Sequence, residues 1–386
     1  MPLFVTIVLD GVGVGAQPDA GAYGDAGSHT LAHVCAAARP ALPTLQRLGL
    51  GRLAALEGVP AAEAPVADYG RMREVSAGKD STTGHWELAG LRLDRAFPTY
   101  PDGFPDDVVA AFVEQTGCGG ILGNRPASGT VIIDELGAAH QETGHPIVYT
   151  SADSVFQVAA HKDTIPLEAL YQMCRIAREA VCVGPHAVGR VIARPFVGAP
   201  GAYTRVSAER KDFSLRPTGT LQEALRAHGV RTVAIGKIGD LFGGVGFDAI
   251  HKTKSNAEGI DETLRVMHAY DGAPTFVWTN LVDFDQDFGH RNDPGGFARA
   301  LEAFDRALPD LMAALPAGGR LVLTADHGND PTTPSTDHSR EYVPLLVLGG
   351  AGGHALGTRR SFNDHAASVA AFFGAPFETD GTSFLR

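Results

Sequence analysis

The sequence predicts an α/β protein: a mostly parallel central sheet flanked by helices, with a smaller α+β domain inserted into it. Three observations carry this. Five short runs rich in β-branched residues are apolar almost throughout, as strands buried on both faces of a parallel sheet must be. Between them lie stretches with apolar residues at helical spacing. From about residue 98 to 217 many glycines and prolines interrupt that alternation.

The first run, residues 3–9 (LFVTIVL), stops at Asp10. The Gly11-Val12-Gly13-Val14-Gly15-Ala16 that follows matches the spacing of a dinucleotide-binding fingerprint, but that fingerprint has to open a helix. Here Gln17-Pro18-Asp19 and Gly21 follow, and no acidic residue ends a second strand at the required distance. The glycines are read instead as keeping backbone bulk away from a ligand held by Asp10. The inserted stretch contains Gly117-Cys118-Gly119-Gly120 and Arg194-Pro195-Phe196-Val197-Gly198. Short strands are expected there at 130–133, 147–150 and 189–192, around one helix near 166–180. The domain assignment is therefore a core of residues 1–97 and 218–386 with a cap of residues 98–217. Further core strands are expected at 230–236, 275–282, 320–325 and 343–349. Ile260, Leu264 and Met267 mark one helix; Phe297, Leu301, Phe304, Leu308 and Leu311 mark a longer one, with a bend expected at Pro309. There is no internal repeat and no low-complexity tail.

At 386 residues the chain is long enough for two domains, and 44% hydrophobic with 20% charged residues is globular composition. With 32 basic against 44 acidic residues the net charge is -12, which argues against nucleic acid or an anionic membrane as partner. A small phosphorylated substrate remains compatible, because metals and a few Arg or Lys reverse the sign locally. Cys35, Cys118, Cys174 and Cys182 form no CxxC pair and suit a reducing cytosol. The N-terminal run lacks a basic segment before it and reads as a strand, not a signal peptide. No stretch approaches the ~18 apolar residues of a membrane span, so a cytoplasmic location is expected. Oligomeric state is not legible.

Chemistry gathers where the expected strands end. Asp10 closes the first; Asp283 and Asp285 follow the 275–282 strand, with His290 five residues after Asp285. Asp326-His327-Gly328-Asn329 closes the 320–325 strand, and His338 comes eleven residues after His327. Open α/β sheets place their ligands at these carboxyl ends. A lone Asp there is usually a helix cap, so the argument rests on co-occurrence. Asp and His without Cys suit a pair of divalent cations of the Mn, Zn or Mg kind. A nucleophile is offered by residues 78–87 (GKDSTTGHWE), where a hydroxyl before glycine can open a helix whose N–H groups face a phosphate. Such a hydroxyl needs a metal or a base to become reactive. Spacing does not choose between Ser81, Thr82 and Thr83.

The segments KDSTTGHWE (79–87), DFDQDFGHR (283–291), ADHGND (325–330) and TDHSREYVP (336–344) resemble the phosphopentomutase family of the alkaline phosphatase superfamily. The similarity runs along essentially the whole chain, including GRVIARPFVG (189–198) and IGKIGD (235–240). It implies an alkaline-phosphatase-like core with a cap domain, two Mn2+ ions, and Thr83 as a phosphorylated nucleophile. By the same resemblance, one ion would be held by Asp10, Asp326 and His327 with the Thr83 oxygen or its phosphate. The other would take Asp285, His290 and His338. Ser151, Asp153, Arg190, Ile192 and Lys237 would contact a pentose phosphate, and Arg205 and Arg210 its distal phosphate. Gly11 stands where the family often carries serine. The implied reaction interconverts α-D-ribose 1-phosphate and D-ribose 5-phosphate, and the 2-deoxyribose pair, through a 1,5-bisphosphate. A sugar bisphosphate such as glucose 1,6-bisphosphate would activate it. The alternatives are a phosphatase or a cofactor-independent phosphoglycerate mutase of the same superfamily; the latter uses serine where Thr83 stands. A non-catalytic relative would bind metal but take up no phosphoryl group.

Overall fold

The computed structural model describes residues 2–151 and 154–385. Contacts divide it into two compact units, Met1–Ala96 with Pro217–Arg386, and Phe97–Arg216. The strands, in chain order, are β1 (Leu3–Leu9), β2 (Asp68–Met72), β3 (Leu122–Pro126), β4 (Ile147–Thr150), β5 (Val155–His161), β6 (Arg190–Val197) and β7 (Thr204–Arg205). They continue with β8 (Lys211–Ser214), β9 (Arg231–Ile235), β10 (Ala249–His251), β11 (Thr275–Leu281), β12 (Arg320–Thr324), β13 (Val343–Leu348) and β14 (Ala355–Arg359).

In the larger unit eight strands lie in the order β10-β9-β11-β1-β12-β13-β2-β14. All seven residues of β1 are buried, as befits a strand between two parallel neighbours, β11 and β12. β9 and β10 extend the parallel part. The run at 343–349 is a strand, but it is antiparallel to both β12 and β2. Its continuous burial reports a place inside the sheet and carries no information on direction. The sheet as a whole is mostly parallel.

The helix Pro294–Ala313 buries Phe297, Leu301, Phe304, Leu308 and Leu311, the stripe expected from sequence. It runs through Pro309 to Ala313. Leu308 and Leu311, both fully buried, anchor the chain on either side of the lost N–H. In the helix Asn256–His268, Ile260 and Met267 are buried. Leu264 is only half-buried, because Thr263 takes the inward position and shares a 2.7 Å hydrogen bond with Thr279.

The smaller unit has a sheet ordered β3-β4-β5-β6-β7, with β8 also paired to β6. Phe156, Val158 and Val191 pack with Leu170 and Cys174 of the helix Leu167–Ile176. A second cluster joins Ile147, Tyr149 and Phe196 to Ile132 and Ile133. The latter pair corrects a sequence expectation: residues 130–133 are not a strand but lie within the helix Gly129–Thr143. Their β-branched side chains favour a strand locally, yet burial of Ile132 and Ile133 on one helical face decides the outcome. Among the described residues no helix is long and apolar enough to cross a membrane.

Candidate active site

Strand register builds the site. Leu9 pairs with Leu281 and Val8 with Thr324, so Asp10, the segment after β11 and Asp326 emerge together at one sheet edge. The return of His338 depends on a bridge between Gly328 and Ser339, closed by hydrogen bonds of 3.0 and 2.7 Å. It sets the His327 and His338 rings 4.1 Å apart.

No helix opens at Gly11, and the next α-helix begins at Thr30. Gly11 has φ +73°, and a Cβ there would meet Asn329 Cβ at 3.1 Å and Asp285 Oδ1 at 3.2 Å. Its N–H donates to Asp326 Oδ1 at 3.2 Å. Gly13 clears the buried carboxylate of Glu341, whose Oε2 would be 2.3 Å from a Cβ. Glu341 accepts hydrogen bonds from Gly15 N, Thr30 Oγ1 and Ser339 Oγ. The glycine run thus serves the acidic centre and the loop carrying His338.

Asp80 caps the helix Ser81–Leu88, accepting from Thr82 N at 2.9 Å and Thr83 N at 3.1 Å through Oδ1. Its Oδ2 accepts the hydroxyl of the fully buried Thr83 at 2.5 Å. Gly84 sets the helix directly against the end of β12, for a Cβ would lie 2.1 Å from Asp326 O. His85 Nδ1 lies 2.8 Å from Ser81 O and 3.1 Å from Asp326 Oδ2. Glu87 accepts from Ser76 N, Ser361 Oγ and Phe362 N, so the rest of the TGHWE segment anchors the helix. Ser81 Oγ, not Thr83, is the hydroxyl beside His327 Nε2, at 3.0 Å, and it accepts from Lys237 Nζ at 2.7 Å.

Two groups of buried ligand atoms converge within 4.8 Å: Asp10, Asp326 and His327, and Asp285, His327 and His338. His327 belongs to both. His290 keeps contact with the second through Asp285 Oδ2 at 3.2 Å, and its Nδ1 lies 2.6 Å from Thr336 O. Asn329 orients Asp285 by donating to Oδ1 at 2.7 Å. Both oxygens of Asp10 and Oδ2 of Asp326 are buried and accept no well-formed hydrogen bond; Lys237 makes an ion contact with Asp10. Buried carboxylate oxygens without hydrogen bonds, aimed at imidazoles, are the donor set a divalent cation requires.

Electrostatics agree. Burial, reinforced by the neighbouring Asp326, pushes the Asp10 carboxyl up to about 6. Burial would also raise Asp326, but His327 and His85 outweigh it and hold that carboxyl well below the usual range. Burial disfavours a charged His327, yet Asp326, Asp285 and Asp10 push it up to about 10. Burial likewise opposes charge on His290, which Asp285 raises to about 9. In effect protonated imidazoles and Lys237 supply positive charge that bound cations would supply instead.

In the smaller unit Ser151 follows β4, and Asp153 lies outside the described residues. Arg190 Nη1 is 3.6 Å from Asp212 Oδ2, and Arg210 grips the same carboxylate at 2.8 and 2.7 Å. Ile192 is buried in β6. Sequence reasoning gave no role to Asp80, His85 or Asn329, and it left Ser81 open beside Thr82 and Thr83 as a nucleophile. The cap pattern Asp-Ser-Thr-Thr before a helix is a signal for Asp80; the others depend on long-range contacts.

The fold and the paired Asp/His clusters define a metal-dependent enzyme built on an alkaline-phosphatase-like core. The family model "Metalloenzyme superfamily" matches residues 3–376. A phosphoglycerate mutase structure from Leishmania mexicana shares the fold, at 13% identity and TM-score 0.51, covering 100% of this chain and 97% of that one. A phosphopentomutase of Anaeromyxobacter sp. (strain K) is 56% identical over 99% of this chain and 97% of its own. One from Deinococcus radiodurans is 52% identical over 98% and 97%. The chain belongs to the phosphopentomutase family.

Proposed function

We propose that this enzyme interconverts α-D-ribose 1-phosphate and D-ribose 5-phosphate, and their 2-deoxy counterparts, through phospho-Thr83 and a sugar 1,5-bisphosphate. The observation that carries the reading is the placement of the Thr83 helix directly against Asp326, a member of a buried cluster whose carboxylate oxygens lack hydrogen bonds. Asp10, Asp326 and His327 would hold one divalent cation, and Asp285 with His338 and His290 a second. We take both to be Mn2+. Cations held there would supply charge neutralisation for the phosphoryl group and favour the ionised hydroxyl.

The chain's own groups do the rest. Asp80 Oδ2 accepts the hydrogen bond of the Thr83 hydroxyl and would take its proton as the Thr83 oxygen bonds to phosphorus. Thr83 passes its phosphoryl group to the free hydroxyl of the sugar monophosphate. It then recovers one from the other end of the bisphosphate, which must turn over in between. A sugar bisphosphate such as glucose 1,6-bisphosphate would prime the free Thr83. Lys237, an ammonium that Asp10, Asp326 and Asp285 keep charged against burial, would balance phosphoryl charge. Ser151, Asp153, Arg190 and Ile192 are the proposed holders of the sugar phosphate. Arginine suits this task through its bidentate fork.

Ser81 is a second nucleophile candidate, because its hydroxyl and not that of Thr83 contacts His327. A coupled assay of ribose 1-phosphate conversion with Mn2+, run beside phosphate-release and 3-phosphoglycerate assays, tests the function. Isomer formation is expected. Phosphate release without isomer, or turnover of 3-phosphoglycerate alone, would contradict it.

A further inference from the structure

Arg340, two residues after His338, has no part in the function proposed above, although its side chain is only 2% exposed. Nη1 donates to Ser76 O at 2.8 Å and to Gly78 O at 2.6 Å, and Nη2 donates to Glu74 O at 2.9 Å. The carboxylates of Glu74 and Asp19 supply its counter-charge at 2.8 and 3.1 Å. The Tyr23 ring centre lies 4.9 Å from the guanidinium carbon. A planar fork with donors at fixed positions can serve three carbonyls at once, as a single ammonium cannot.

The carbonyls belong to a stretch that needs such a holder. Residues 73–79 lie outside any helix or strand, between β2 and the helix Ser81–Leu88. Their N–H groups also depend on distant partners: Val75 and Ser76 donate to Glu87, Ala77 to Leu93 O and Gly78 to Tyr23 Oη. Gly78 touches the nucleophile, for a Cβ there would lie 2.8 Å from Thr83 Oγ1. It is a backbone wall beside the Thr83 hydroxyl, and Arg340 grips that wall by its carbonyl. The other end of the arginine is fixed as well. Its backbone N–H donates to Asp25 Oδ2 at 2.9 Å, and Asp25 and Asp337 together hold Lys79.

We propose that Arg340 is a positioning residue for phosphoryl transfer, tying the loop that carries His338 to the Gly78 wall and so fixing the Thr83 hydroxyl relative to Asp285 and His338. The proposal rests on the assignment of Thr83 as nucleophile. A rival explanation is that the arginine serves only to neutralise the buried Glu74 carboxylate. The two explanations differ once both charges are removed, because the carbonyls of residues 74, 76 and 78 then still lack their donor.

The test compares wild type, Arg340→Lys and the double variant Glu74→Gln/Arg340→Met, each with Mn2+. Arg340→Lys keeps the charge and loses the fork; the double variant removes the buried ion pair without leaving Glu74 unpaired. The measurements are kcat and KM for ribose 5-phosphate, the rate of phosphoryl uptake from glucose 1,6-bisphosphate by intact mass, amide exchange over residues 74–78, and Tm. A shift of the Thr83 hydroxyl by about 1 Å should lower kcat and the uptake rate ~10²-fold in both variants. KM should change less than about 3-fold, because the groups proposed to hold the sugar phosphate are untouched. Exchange over 74–78 should quicken in both, while the Tm of the double variant stays close to that of wild type. Wild-type kcat and slow exchange in Arg340→Lys and the double variant would show charge neutralisation alone and overturn the proposal. Absence of isomer in the wild type would sink the function proposed above; quickened exchange would then still uphold the clasp, and unchanged exchange would overturn it.

Discussion

Replacing Gly84 by alanine sets two effects of opposite sign against each other. In an exposed helix alanine is the better residue by about 1 kcal/mol. At this position a Cβ would lie 2.1 Å from Asp326 O and 2.8 Å from Asp326 C, where ordinary contact begins at 3.4 Å. The gap, 3.4 minus 2.1, is about 1.3 Å, and the obstacle is backbone, which cannot swing away as a side chain can. Overpacking of this kind costs roughly 1–3 kcal/mol, so the net effect is a destabilisation on the order of 1 kcal/mol. Function should suffer more, because the shift separates the Thr83 helix from Asp326. A displacement of about 1 Å in a catalytic constellation can lower turnover ~10²-fold. Urea unfolding and the coupled pentose phosphate assay measure the two quantities. A Gly84→Ala protein as stable as wild type and equally active would show that the helix does not sit against Asp326 in this way.

Asp80→Ala removes the N-cap of the same helix and should cost about 1 kcal/mol in urea unfolding; an unchanged midpoint would contradict the capping role. His365 is fully buried between Thr6 Oγ1 and Leu88 O, each 2.8 Å away, and burial pushes it down to about 4. Its folded value is depressed, so its contribution is complete above about pH 6.5 and lost as pH falls from there toward 4, amounting to ~3 kcal/mol. His365→Gln should show a shallower loss of unfolding free energy over that window, and equal slopes would refute the assignment. Adding Mn2+ to chelated protein at about 100 times its Kd should raise stability by about 2.7 kcal/mol. Because the cation must displace the proton that Asp326, Asp285 and Asp10 hold on His327, its affinity should increase with pH. Calorimetry showing affinity flat or falling with pH would contradict that ligand.

What could be read in advance was what local pattern encodes. β1, β11 and β12 are buried along their whole lengths or nearly so, and their apolar runs declared them, together with the Asp residues at their ends. β2 and β14, DYGRM and ALGTR, carry polar and partly exposed residues and left no such trace. The Gly129–Thr143 helix was obscured by its β-branched start and by Gly137, which is small because Tyr203 packs where a Cβ would stand, 2.4 Å from it. Within the site, spacing along the chain could not reveal that His327 faces both ligand groups while His290 approaches one through Asp285. That depends on the bridge returning residues 338–341 to Gly328, a contact between distant segments. For the same reason the sequence could not distinguish the hydroxyl held by Asp80 from the one beside His327.

The most direct test of the account is peptide mapping by mass spectrometry after incubation with glucose 1,6-bisphosphate and Mn2+, in wild type, Thr83→Ala and Ser81→Ala. The account predicts one added phosphoryl group on Thr83 in wild type and Ser81→Ala, and none in Thr83→Ala. A phosphoryl group on Ser81, or one retained in Thr83→Ala, would contradict it.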